Sequence, residues 1–151
     1  MVAKTAQSLA ALYETDETAW LDAMAELIRE GRPDDVDFPH LAEYLEDMAR
    51  RDRKEVKSRL RILLAHLLKW THQPEKRSNS WRGTITTQRH ELEDDLLTSG
   101  TLRNHAEAIL PETYAQAVEQ AVDETGLPDA TFPPQCPWKL DQLLSAEVLG
   151  D

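Results

Sequence analysis

The sequence predicts an all-α protein: a helical bundle around one long central helix, with short terminal helices. Apolar side chains recur at three- and four-residue spacing through most of the chain, and no stretch sustains the apolar–polar alternation of a half-buried strand. There are five glycines and no Asn-Gly pair to close a hairpin. A length of 151 residues with 40 % apolar side chains suits one packed domain, expected to span 1–151.

The elements follow in order. A short first helix is expected over about residues 5–13. Asp16 is placed to cap a second, which carries Ala19, Trp20, Ala23, Met24, Leu27 and Ile28 on one face and ends at Gly31. Residues 32–35 form a connector. Pro39 stands where a first-turn proline is tolerated. The pattern Leu41, Tyr44, Leu45, Met48, Asp52, Val56, Leu60, Leu63, Leu67, Trp70 then predicts a helix over 39–71, roughly 50 Å long. Before Arg59 it has one apolar stripe and much charge. Over 60–68 it is apolar almost all round, as in a helix enclosed by neighbours.

Residues 73–77 read as a turn, and Ser78, Asn79 and Ser80 are candidate caps for the next helix. That helix runs to Ser99 through Ile85, Leu92, Leu96 and Leu97, with Gly100 as its expected stop. A further helical region covers 102–125, bent or broken at Pro111 and closed by Gly126. A proline-rich segment leads to a last helix over about 137–149.

The net charge of −11 is segregated. Residues 1–48 carry three basic and twelve acidic side chains, 49–90 carry twelve and three, and 91–151 carry two and thirteen. Acidic flanks that pack beside the basic middle would neutralise it. The other reading is a basic patch for an anionic partner. A pI near 4.9 makes nucleic acid an unlikely partner. No apolar run approaches the ~20 residues of a membrane span. The N-terminal segment lacks the apolar core of a signal peptide, and Cys136 is the only cysteine. A cytoplasmic protein without disulfide, cofactor or metal is expected.

Three places could carry chemistry. His66 lies in the apolar half of the long helix as a candidate polar site. It is either a core histidine bonded to a carbonyl or carboxylate, or a base or ligand assembled with Asp16, Glu17 or Glu124. Its i+3 and i+4 positions hold Lys69 and Trp70, which cannot complete a helical metal site. The turn at 76–82 is a candidate anion site. Lys76, Arg77 and Arg82 flank a helix N-terminus, Ser78 and Ser80 can offer hydroxyls, and Trp81 can stack. The alternative there is ordinary capping with Trp70 and Trp81 in the core. Cys136 would be an N-cap thiol if Pro137 opens the last helix, or else a small inert residue between prolines. Arg50, Lys54, Lys57 and Arg61 form a basic stripe, solvated or facing an acidic protein.

Several segments together resemble the bacterial family catalogued as domain of unknown function twenty-nine. They are Leu12-Tyr13-Glu14 with Asp16 and Trp20; Arg59-Leu60 running into His66-Leu67-Leu68-Lys69-Trp70; Pro74, Arg77, Ser80-Trp81 and Arg89; Tyr114 and Ala117; Glu124-Thr125-Gly126-Leu127; and Phe132-Pro133 followed by Cys136-Pro137-Trp138. The resemblance implies a helical fold and carries no activity, so the function is unknown at this level. The leading expectation is an interaction or regulatory module that binds a macromolecular partner or itself. A small helical enzyme with an interhelical site near His66 is the alternative, and a nucleic-acid-associated protein using the basic middle is a third.

Overall fold

The computed structural model describes residues 6–149, so the expected helix start at Thr5 lies outside the described residues. Among those residues there are six α-helices and no strand: α1 Ala6–Thr15, α2 Glu17–Arg29, α3 Phe38–His72, α4 Asn79–Thr98, α5 Gly100–Thr125 and α6 Leu140–Leu143. Single 3-10 turns lie at Pro33–Asp35, Pro74–Lys76, Asp129–Thr131 and Ala146–Leu149. The all-α expectation holds, with α3 as the long helix that packs against others.

The caps explain most boundaries. The Asp16 carboxylate accepts the Ala19 N–H at 3.1 Å, as expected. Gly126 closes α5 at φ 73°, a left-handed conformation in which a side chain would be strained, and its N–H donates to the Val122 carbonyl. Three boundaries differ from expectation. Gly100 does not stop α4 but opens α5. Ser99, extended at φ −138°, ends one helix and caps the next by accepting the Leu102 N–H at 3.1 Å. Pro111 does not break α5, because it lies on an exposed face where the carbonyl it deprives of a donor can turn to water. The last helix begins at Leu140 rather than Pro137, since Gln142 accepts the Lys139 N–H at 2.8 Å and fixes the start there.

The chain forms two compact units, the first ending at Arg50 and the second beginning at Arg51. The first is α1, α2 and the opening turns of α3 around Leu9, Trp20, Met24 and Val36, with Tyr13, Leu41 and Tyr44 packed on them. The second is built on the apolar half of α3. Leu60, Leu63, Leu64, Ala65, Leu67 and Leu68 are fully buried, covered by Ile85, Leu92 and Leu96 of α4 and by Tyr114, Ala117 and Ala121 of α5. The segment 60–68 is thus as buried as its composition predicts. No described helix is long and apolar enough to cross a membrane.

Candidate functional site

Proline ends α3. Pro74 cannot continue a helix, so after His72 the backbone turns through Pro74–Lys76, with the Gln73 N–H on the Lys69 carbonyl at 2.8 Å. Arg77 is extended at ψ 135°, and Ser78 caps α4 by accepting the Trp81 N–H at 3.1 Å. This reversal carries Arg77 back over the end of α3. Its Nε donates to the Trp70 carbonyl at 2.8 Å, and its guanidinium lies 4.7 Å from the Trp70 ring centre. Arg82, one turn into α4, places its guanidinium 4.9 Å from the same ring. Trp70 is 5 % exposed, and its Nε1–H has no acceptor among the described residues.

The other tryptophan of the turn has a different cation. Lys69, 7 % exposed, puts its ammonium 5.1 Å from the Trp81 ring centre and 2.6 Å from Glu124 Oε2. Glu124 is on the last turn of α5, where Gln120 also donates to its Oε1 at 2.9 Å. Burial pushes the Glu124 carboxyl up, but the bonds from Lys69 and Gln120 and the Lys69 charge outweigh it and hold the group below its usual range.

His66 sits one turn before Lys69. Its Nδ1–H donates to the Ile62 carbonyl at 2.8 Å, which leaves Nε2 as the ring's acceptor. Burial lowers its pKa and the Lys69 charge adds to this, against the Ile62 bond and the Glu124 carboxylate. Of the carboxylates considered for His66, Glu124 is the one in its second-unit surroundings. No group of three or more His, Cys, Asp or Glu that could hold a metal occurs among the described residues.

An open groove of about 470 Å³ lies along α5, lined by Arg61, Gln116, Glu119, Gln120, Asp123 and Glu124. His66 is not on its wall. A second groove, about 420 Å³, runs past Tyr114, Val118, Phe132 and Pro133. There the Tyr114 hydroxyl donates to the Pro133 carbonyl at 2.6 Å, and burial pushes its pKa up to about 12. Cys136 is not an N-cap. Its thiol donates to the Trp138 carbonyl at 3.3 Å, and burial raises its pKa, the opposite of an activated thiolate.

The turn therefore places Arg77 and Arg82 on Trp70 and not Trp81, with Ser78 as the cap of α4. Lys76 and Ser80 are exposed and enter none of these contacts. Sequence reasoning missed the Lys69–Glu124 pair, although a lysine at the end of an apolar run signals that some partner must exist. It also missed the first unit's buried polar cluster. Asp37, 7 % exposed, accepts from Trp20 Nε1 at 3.2 Å and from His40 Nδ1 at 2.8 Å.

Compared with known proteins, residues 12–149 match the model of a family described as Domain of unknown function DUF29. No curated protein matches, and no solved structure matches.

Proposed function

The chain belongs to the family of Domain of unknown function DUF29, and since that description assigns no activity, we propose from the geometry that the protein is an interaction module whose first unit binds a basic amphipathic segment of another protein. One observation carries this. Phe38 and Leu45 are 57 % and 59 % exposed, and at seven residues apart they share one face of α3. Ala42 and Ala49, also exposed, fall on that face. The exposed Glu43 and Glu46 border it, in a segment, 1–48, with nine more acidic than basic side chains. Apolar anchors rimmed by carboxylates suit a helix that presents Leu or Ile on one side and Lys or Arg on the other. The anchors supply affinity; the rim supplies rate and orientation.

The other readings have less support. Lys57 pairs with Glu112 at 2.9 Å, Arg59 with Glu55 at 2.7 Å, and Lys69 with Glu124 at 2.6 Å, so much of the basic middle is neutralised within the chain and not offered to phosphates. The enzyme reading needs His66 and a carboxylate on one cavity wall, and the groove along α5 has Glu124 without His66. We assign the module to the bacterial cytoplasm, because its one cysteine permits no internal disulfide. We also propose that the whole chain acts as one domain, since α3 runs unbroken from the first unit into the second.

Titration of a fluorescent Leu/Lys amphipathic helical peptide tests the reading. Binding should weaken with salt and fall by about tenfold or more in Leu45→Glu. A concentration-dependent dimer, seen by light scattering and lost in the same variant, would mean that a second copy covers the face. Peptide binding that Leu45→Glu leaves unchanged overturns the assignment.

A further inference from the structure

We infer that the apolar face of the first unit selects its partner by size as well as charge: it takes a helix whose seam alternates small and large side chains and whose Lys and Arg stand on one flank only. This rests on the reading of that face as an interaction surface and adds which helices it accepts. Phe38, Ala42, Leu45 and Ala49 are all exposed and follow one another at four-, three- and four-residue spacing, the seam spacing of paired helices. Large and small side chains alternate along the seam. Phe38 and Leu45 stand out, and Ala42 and Ala49 leave a notch after each. A partner seam of leucines alone sets Leu against Phe38 and against Leu45. That holds the two axes at the wide end of the roughly 8–10 Å range of packed helices. A seam with Ala opposite Phe38 and Leu45, and Leu opposite Ala42 and Ala49, closes toward the narrow end and fills every layer.

The two flanks of the seam differ. At about 100° per residue, the exposed Glu46 and Glu43 stand about 70° and about 130° to one side of it. Arg50 follows on that side, but its charge is engaged by Asp47. On the other side come Leu41 and Tyr44, which pack on the unit's own core. Within the first unit, α3 therefore offers carboxylates to a partner on one flank only. The same flank excludes the nearest competing occupant. A second copy run antiparallel satisfies the size rule, with Phe38 against Ala49 and Ala42 against Leu45. It also brings the Glu43 and Glu46 of both copies onto one flank. Like charges set side by side oppose that pairing, so the occupant is a basic helix and not a copy of this chain.

The test is titration of the full-length protein with two fluorescent peptides of equal helicity, each with its lysines on one flank. One alternates Leu and Ala along its seam; the other has Leu throughout. The alternating peptide, although less apolar, should bind the parent about fivefold or more tightly than the leucine peptide, as relief of overpacking implies. Ala42→Leu and Ala49→Leu, each a change at an exposed helical position, should abolish or reverse that preference. Dividing the same lysines between the two flanks of the alternating peptide should weaken it by about threefold or more. Peptides that bind equally well, in the parent and in both variants, overturn the size rule and leave the face an unselective surface. Binding of both peptides that Leu45→Glu leaves unchanged overturns the surface itself, so the two failures are distinguishable. A parent dimer that neither peptide dissociates overturns the choice of occupant.

Discussion

Each unit buries one charge against a tryptophan, and the two do it with opposite signs and opposite parts of the indole. In the first unit the charge is the Asp37 carboxylate, and Trp20 meets it edge-on through Nε1–H at 3.2 Å, with His40 as the second donor. The Tyr13 ring packs on both donors, at 4.8 Å from Trp20 and 4.4 Å from His40. In the second unit the buried charge is the Lys69 ammonium, and Trp81 meets it with its π face, at 5.1 Å. Trp70 likewise offers its ring to Arg77 and Arg82. An indole bonded through its edge to an anion has both its functions satisfied. An indole that uses only its face still has a polar hydrogen. The difference follows from the sign of the charge beside the ring.

The largest expected effect fixes the frame of the comparison. Leu67→Ala or Leu64→Ala should destabilise the protein by about 2–5 kcal/mol, as fully buried leucines do. Urea unfolding measures it, and a loss below about 1 kcal/mol would deny the second unit its core. The buried charges come next. Glu124→Ala strands a buried ammonium, whereas Asp37→Ala strands only the neutral Trp20 N–H and the His40 ring. Removing one partner of a buried pair costs about 3–5 kcal/mol, reduced here to about 2–3 because the Glu124 side chain is 39 % exposed. Asp37→Ala should cost about 1–2 kcal/mol. The reverse order in unfolding experiments would break the comparison. Lys69→Met sharpens it: with the ammonium itself gone, the loss should be smaller than for Glu124→Ala.

What was legible in the sequence separates along the same line. The long helix and its apolar half, the Asp16 and Ser78 caps and the Gly126 stop rest on local periodicity and single-residue chemistry, and all are found. The charge clusters are not local. Lys69 meets a carboxylate 55 residues on, and Trp20 one 17 residues on. No spacing rule pairs residues that far apart. The turn at 73–77 is an intermediate case. Its arginines were recognisable as neighbours of a helix N-terminus, but which tryptophan they cover depends on the reversal at Pro74, and that geometry follows from bonds such as Arg77 Nε to the Trp70 carbonyl. Of the two readings of Cys136, the N-cap required Pro137 to open the last helix, and Gln142 fixes a later start.

The smallest effect separates the groups of the second unit by pH. His66 is half-buried, and burial, with the Lys69 charge, brings its pKa below the usual 6.5. Its neutral form is therefore favoured by folding. The unfolded chain takes up this proton first as the pH falls, so the stability due to neutral His66 is complete above about pH 6.5 and declines as the pH drops toward the folded value. Glu124 has a separate window. Its bonds with Lys69 and Gln120 outweigh burial and bring its folded pKa below 4.5, so its contribution is complete above that pH and is lost only as the pH falls through the lower folded value. Urea midpoints measured from about pH 7.5 to about pH 3.5 should therefore show two declines. His66→Gln should flatten the upper one and keep the lower. Glu124→Gln should flatten the lower one and deepen the upper, because the carboxylate that favours imidazolium is gone, the folded pKa of His66 falls further below 6.5, and more stability is lost before the folded protein takes up the proton. An upper decline that is unchanged in His66→Gln would show that some other group titrates there, and would separate His66 from the Lys69–Glu124 pair altogether.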